Sequence, residues 1–456
     1  MMDDAKRDWA FQFLLASAFC MGFSLPLGRL GLLAAAVFLA VDAAKGRRRL
    51  RMPLSGWLWL ALAALAVVVT AQGLNPGKGL GKLDKLIWYM GLPVAASVVD
   101  SRERLWRVLR ALLYGLSVLA ARVCLRNPLF AQAISERFAG TRMAMHFPYA
   151  QELIHQGTLI DGQRLMVGLV GAVALGMGSG ALARLGTRRL ELGVRREPAE
   201  GGAQPPPWRF RLRLWPLLIG LLAAGEILVM KRGSWFSTAP ILAVLLGRRL
   251  RWRWLLLGVV ALAGLAVGVA PIRQRLVSLQ TEFTSQSGGR LAMWTEVAPV
   301  LLKAHPWGIG FRAMTSERMR EIAPQIERNR DHLHSNLVEM AVSLGWAGLA
   351  LYLVWMACLL RDALASDAAP CPIFWMILAL FLNGFVEYNF ADAELVILLG
   401  LLGGLAAAGR RLRVAAAPQG NRLATGGRAE ERQVSEEKPK GGLFRFRWTS
   451  GRGDAS

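Results

Sequence analysis

Two histidines stand at the edge of an apolar run in RNRDHLHSNLVEMAVSLGWAGLALYL (328–353): His332 and His334, followed at once by Ser335 and Asn336. The chain has five histidines, the others being His146, His155 and His305. Imidazole gains or loses a proton near neutral pH, so a histidine here could take a proton from a hydroxyl. Two other stretches supply fixed cations. VMKRGSWFS (229–237) holds Lys231 and Arg232 in a short hairpin, and GGRLAMW (288–294) holds Arg290 four residues before Trp294. Guanidinium forks match phosphate oxygens. Cations plus a base, without an evident metal cluster, fit displacement of a phosphorylated leaving group by an alcohol. The arginines would stabilise charge on a departing pyrophosphate while the histidine activates the nucleophile.

Such groups need elements to hold them, and composition says which kind. The 456 residues are 54% hydrophobic yet carry a net charge of +24. A soluble basic protein would suggest nucleic acid, but it should not contain long apolar runs. A bilayer core takes about 20 apolar residues per helix. The hydropathy pattern predicts an all-α polytopic membrane protein with about twelve spans, near 9–26, 28–44, 55–73, 86–99, 104–122, 163–185, 212–230, 234–248, 254–272, 336–360, 371–389 and 393–409. The spans at 86–99 and 234–248 are short enough to be tilted or re-entrant.

Positive charge orients the array. KGRRRLR (45–51), the basic residues of 188–213, GRRLRWR (247–253) and the tail after Arg410 share one side. Lys and Arg in short loops resist translocation, so that side is the cytoplasm and both termini lie there. The charge is thereby explained by topology and anionic lipid, not nucleic acid. KGLGKLDK (78–85) runs mildly against the rule. Residues 1–409 then form a transmembrane domain with external loops at 123–162 and 273–335, and 410–456 form a basic, disordered cytoplasmic tail. All five histidines fall in the two external loops. AEGGAQPPPW (199–208) reads as a stiff cytoplasmic linker.

Each candidate also has a plainer reading. Lys231 and Arg232 could snorkel into outer headgroups, although a cation on the disfavoured side, followed by Gly233, is a site candidate. Asn336 and Glu339 match a helix cap and its third position, and Glu339 could also steady a histidine. HPWGIGF (305–311) supplies Pro306, Gly308 and Gly310, a tight turn with exposed backbone. Met314, Met319, Ile322 and Ile326 recur at helical spacing, as in a segment on the outer membrane boundary or lidding a cavity. Asp392 and Glu394 in ADAEL (391–395) could hold a divalent cation, but a polar turn and helix cap is the better reading. The four cysteines are scattered apolar filler.

Taken in order, MKRGSW, GGRLAMW, HPWGIGF and HLHSNLVEMAVSLGWAGLALYL resemble the signature segments of the O-antigen ligase and O-antigen polymerase superfamily. The likeness covers roughly 225–400, and the first half of the chain matches only in hydropathy. It implies transfer of a glycan from undecaprenyl pyrophosphate to a sugar hydroxyl of lipid A–core. That reaction would take place at the periplasmic face of a bacterial inner membrane, with no metal and no cofactor. On this resemblance Arg232 and Arg290, with Lys231, bind pyrophosphate and His334 is the base. His332 supports it, as do Asn336, Glu339, Trp294, Gly308 and Gly310. Two departures stand out: Lys231 replaces a serine of the family pattern, and Ser335 is inserted between His334 and Asn336. The insertion leaves the choice between His332 and His334 open.

Two alternatives remain. One is a polymerase of the same fold, whose acceptor is another lipid-linked glycan. The other is a lipid-linked oligosaccharide flippase, which should place ionisable groups near the midplane. Here only Glu226, within the seventh span, and Glu387, near the end of the eleventh, interrupt the apolar spans noticeably.

Overall fold

The computed structural model describes residues 8–126, 147–178, 215–229, 231–247, 289–326, 331–366 and 371–416, with isolated positions between 253 and 277. Side chains at 147–160 are not among those described. The ninth expected span, the 199–208 linker, His146, the His155 side chain and most of the tail lie outside the described residues.

Among the described residues the chain is helical, without strands. The helices are α1 (Trp9–Cys20), α2 (Leu25–Ala44), α3 (Leu54–Ala71), α4 (Pro76–Leu80), α5 (Asp84–Ile87), α6 (Gly91–Val98), α7 (Arg102–Arg126), α8 (Phe147–Gly178), α9 (Trp215–Val229) and α10 (Arg232–Gly247). After the 273–288 region come α11 (Arg290–Ala292), α12 (Ala298–Ala304), α13 (Ser316–Ile322), α14 (Asn336–Ser366), α15 (Pro372–Asn383) and α16 (Ala393–Ala416). Among the described residues, α2, α3, Arg102–Leu125 of α7, α14 and α16 are long and apolar enough to cross a bilayer. Helices α1, α9 and α15 are shorter apolar helices. The chain is a membrane protein.

Local chemistry explains the breaks. Asp8 caps α1 by accepting from the Phe11 N–H at 3.1 Å. Pro53 precedes α3, and Asn75 caps α4 through the Lys78 N–H. The expected span at 86–99 is broken: α5 passes through a 3₁₀ turn, Trp88–Met90, into α6. That bent segment is gripped by α16, where an added Cβ on Gly404 would fall 2.4 Å from the Leu92 carbonyl oxygen. Small residues let these two backbones touch, the usual device for packing helices where water gives no drive. Arg411 then closes the C-terminus of α6, donating to the Ala96 and Val99 carbonyls at 2.7 and 2.6 Å.

Among the boundaries that differ from the sequence reading, three stand out. Residues 147–162, expected in a loop, already belong to α8. Helix α16 runs past 409 to Ala416. Most relevant to function, α15 ends at Asn383 rather than at 389, leaving 384–392 as a polar turn. Helix α8 packs on α7, α9, α10 and α15, while α14 packs on α3, α12 and α15. The turn after α15 therefore lies where the second half of the fold comes together.

Candidate functional site

The cations meet on that turn. Arg290 Nη2 lies 2.8 Å from Glu387 Oε1, and Lys231 Nζ lies 3.8 Å from Glu387 Oε2. Arg290 Nη1 also donates to the Val386 carbonyl. The three side chains are 16, 10 and 12% exposed for Arg290, Lys231 and Glu387, so water screens these charges far less than at an open surface. Each cation is held by a helix start. The Lys231 carbonyl accepts from the Ser234 and Trp235 N–H groups and so begins α10, while Arg290 opens α11 after Gly289. Gly233 explains how the carboxylate comes so close: an added Cβ there would stand 2.7 Å from Glu387 Cγ and 2.8 Å from Oε1. The first turn of α10, with its outward N–H groups and positive dipole end, adds to the attraction for an anion. Arg232, half-buried, stands one position further along α10; the ion pairs at Glu387 come from Lys231 and Arg290.

The histidines sit on a short loop fastened from both sides. Trp294 Nε1 donates to the Leu333 carbonyl at 2.7 Å, and the Leu333 N–H donates to Glu339 Oε2 at 2.8 Å. Glu339 Oε1 in turn accepts from Ser343 Oγ at 3.0 Å. Leu333 is thus gripped by its backbone while its flanking residues, His332 and His334, bring their rings to 4.2 Å. His332 lies 5.7 Å from the Tyr388 ring, one residue from Glu387. His332 Nδ1 is 2.9 Å from Asp331 Oδ1, a bond that holds the Asp331 carboxyl well below its usual range despite partial burial. His334 has φ +49, an uncommon conformation for a residue with a side chain.

The expected capping box takes another form. Ser335, not Asn336, caps α14, its carbonyl accepting from the Glu339 N–H at 2.9 Å and its hydroxyl from the Val338 N–H at 3.4 Å. This frees the Asn336 side chain for tertiary work. Its oxygen accepts from the Asn389 and Phe390 N–H groups at 2.9 and 3.1 Å, and its nitrogen donates to Tyr352 at 3.1 Å and to Asn389. The polar chain continues through Asn383 to Gln163 on α8. Glu339, 1% exposed, steadies the histidine loop instead of completing a box.

HPWGIGF also behaves differently from an exposed turn. Helix α14 is broken at Gly345, with φ +69 and ψ −174, which leaves carbonyls of its first turns without helical donors. The Ile309 and Gly310 N–H groups fill those places, reaching the Val342 and Ser343 carbonyls at 3.0 and 2.9 Å. On its other edge the same strip meets α3: the Leu74 N–H donates to the Ile309 carbonyl at 2.8 Å, and the Phe311 N–H to Thr70 Oγ1 at 2.8 Å. Gly308 and Gly310, at φ +99 and +104, serve this fit, since a Cβ on Gly308 would fall 2.5 Å from the Ser343 carbonyl oxygen. Met314, Met319 and Ile326 turn inward, forming a second small core with Met293, Leu301 and Leu333.

Arg312 and Tyr388, which the sequence left unremarked, complete the cluster. Arg312, at φ +50, lies over the Tyr388 ring at 5.2 Å and 3.6 Å from Asp392. Burial raises the Asp392 carboxyl above its usual range, against the opposing pull of Arg312. Asp392 also starts α16 through its carbonyl, as expected for a polar turn and cap. His305 ends α12, its carbonyl accepting from Gly308. Among the described histidines, His332 and His334 are the pair the structure brings together.

With this geometry in place, comparison with known families is direct. Residues 217–353 match the sequence profile of the O-antigen ligase family. The likeness covers less than half of the chain. The match supports the O-antigen ligase and polymerase superfamily for the chain. It runs from α9 into α14, so it includes Lys231, Arg290, His332 and His334 but stops short of Glu387 and Tyr388. No curated protein matches the chain.

Proposed function

We propose that the protein is a membrane-embedded, metal-independent glycosyltransferase of the O-antigen ligase type. It moves a glycan from undecaprenyl pyrophosphate to a sugar hydroxyl of lipid A–core at the periplasmic face of the inner membrane, with about twelve spans and both termini cytoplasmic. The observation that carries this reading is the meeting of Arg290, Lys231 and the His332–His334 pair around one turn, residues 386–388. Phosphate binders and a proton acceptor, drawn from three distant stretches, have little reason to converge unless one reaction uses both.

In this mechanism the acceptor hydroxyl attacks the anomeric carbon of the donor sugar. The bond from that carbon to the phosphate oxygen breaks, and both electrons leave with the polyprenyl diphosphate. The hydroxyl proton passes to His334 or His332. Arg290, Lys231 and Arg232 stabilise the charge that accumulates on the departing diphosphate. The protein's own cations fill the role a divalent ion has in other transferases, so turnover should survive EDTA.

The test is transfer by purified protein from a polyprenyl-diphosphate glycan to lipid A–core. Arg290→Ala should lower turnover by about 10²-fold or more, the scale of removing one charge-stabilising donor. Full activity in that variant would overturn the reading. Deleting the gene separates acceptors: core without glycan, with long lipid-linked chains accumulating, means ligase, whereas core bearing single repeat units means polymerase.

A further inference from the structure

The position between the cations is already taken. Glu387 offers one oxygen to Arg290 and the other to Lys231, at the first turn of α10, in the arrangement two phosphate oxygens would adopt. We propose that Glu387 is an internal competitor for the donor diphosphate, occupying its place between turnovers and returning to the cations to help expel polyprenyl diphosphate. The proposal rests on the donor-binding reading given above.

Three observations support it. First, Glu387 is the carboxylate that joins Lys231 and Arg290, which come from segments well apart in sequence. Two cations half out of water, with a helix N-terminus beside them, are costly without an anion, so an internal one stabilises the unloaded site. Second, Gly233 lets the carboxylate sit directly against the start of α10, since a Cβ there would stand 2.7 Å from Glu387 Cγ, and both of its oxygens face the cations. A phosphate cannot share the position, so loading requires displacement. Third, Glu387 sits on a turn between α15 and α16 whose backbone is bonded on both sides, at Val386 and Asn389, so rotation of the side chain alone carries the carboxylate in or out. A diphosphate carries more charge than one carboxylate and wins the exchange; after transfer, the carboxylate recovers the cations as the product leaves.

The test uses the full-length protein in detergent and inorganic pyrophosphate as the probe, with affinity read by calorimetry. Glu387→Gln keeps the size and removes the charge, and should tighten binding by ~10-fold because the carboxylate that competes for both cations is gone. Glu387→Ala removes the carboxylate altogether and should tighten it too, since both the charge and the group that fills the position are gone. Should Glu387→Gln fail to fold, Glu387→Ala decides alone. In transfer assays Glu387→Gln should lower both the donor KM and kcat, release having become slow; a merely structural role would not move them together in that sense. Pyrophosphate binding equal to or weaker than wild type in both variants, with Arg290→Ala abolishing it, would overturn the competitor role and leave the donor site intact. Undiminished binding by Arg290→Ala would sink the donor-site reading itself.

Discussion

A histidine beside an aspartate and a second histidine is a proton site whose parts can be separated by substitution. Asp331 is hydrogen-bonded to His332 and holds a depressed pKa. Its contribution is therefore complete above its unfolded value of about 3.9 and is lost only as pH falls through the lower folded value. Across ~pH 5 to 8 it stays ionised, so a change of activity in that window belongs to other groups. Asp331→Asn should keep an ionisation limb in the pH–rate profile, and loss of the limb would assign it to Asp331. Comparing His332→Ala with His334→Ala chooses the base: the one that abolishes transfer while pyrophosphate still binds. At this scale the sequence was informative about cations and histidines, because unusual types at unusual places announce themselves. Glu387 did not, since an acid at the edge of an apolar run looks like the end of a span. Its meaning comes from Arg290, 97 residues away.

Elements were legible where periodicity governs and obscure where tertiary bonds override it. Long apolar helices such as α2, α3 and α16 follow directly from hydropathy. The early end of α15 does not, because the turn 384–392 is held by Asn336, Arg290 and Arg312 in addition to its own short-range backbone bonds. Nor was the break in α14 visible, for it needs Ile309 and Gly310 to supply the missing donors. Gly345→Ala should cost about 1–3 kcal/mol, since a left-handed backbone is combined with a Cβ 2.5 Å from the Pro306 carbonyl oxygen. Gly46→Ala, also at positive φ but with open space around its Cβ position, should cost less. Thermal unfolding in detergent compares the two, and equal losses would remove the packing argument. Trp294→Phe should lower stability by ~1 kcal/mol through loss of the bond to Leu333. It should slow transfer more than that loss of stability suggests, because the histidine loop goes slack.

Across the whole molecule a buried polar thread joins α8, α15, the 384–392 turn and α14, running from Gln163 through Asn383 and Asn389 to Asn336 and Tyr352. Removing a member of such a network strands its buried partners and is costly, although Gln163 Oε1 and Asn383 Nδ2 already lack a partner in it. Asn336→Ala should destabilise the fold by about 1–3 kcal/mol for each buried group it strands. Unchanged unfolding would show that the thread is ornamental. Replacing Glu226, buried in α9, separates a transferase from a flippase: Glu226→Gln should leave glycan transfer near wild type, whereas a translocation path would be blocked. The strip 305–311, finally, sets the direction of traffic. Stitched to α3 along one edge and to α14 along the other, it cannot lift like a flap over the histidines. Whatever arrives or departs passes a fixed wall on that flank, and making room for it falls to the side chain of Glu387.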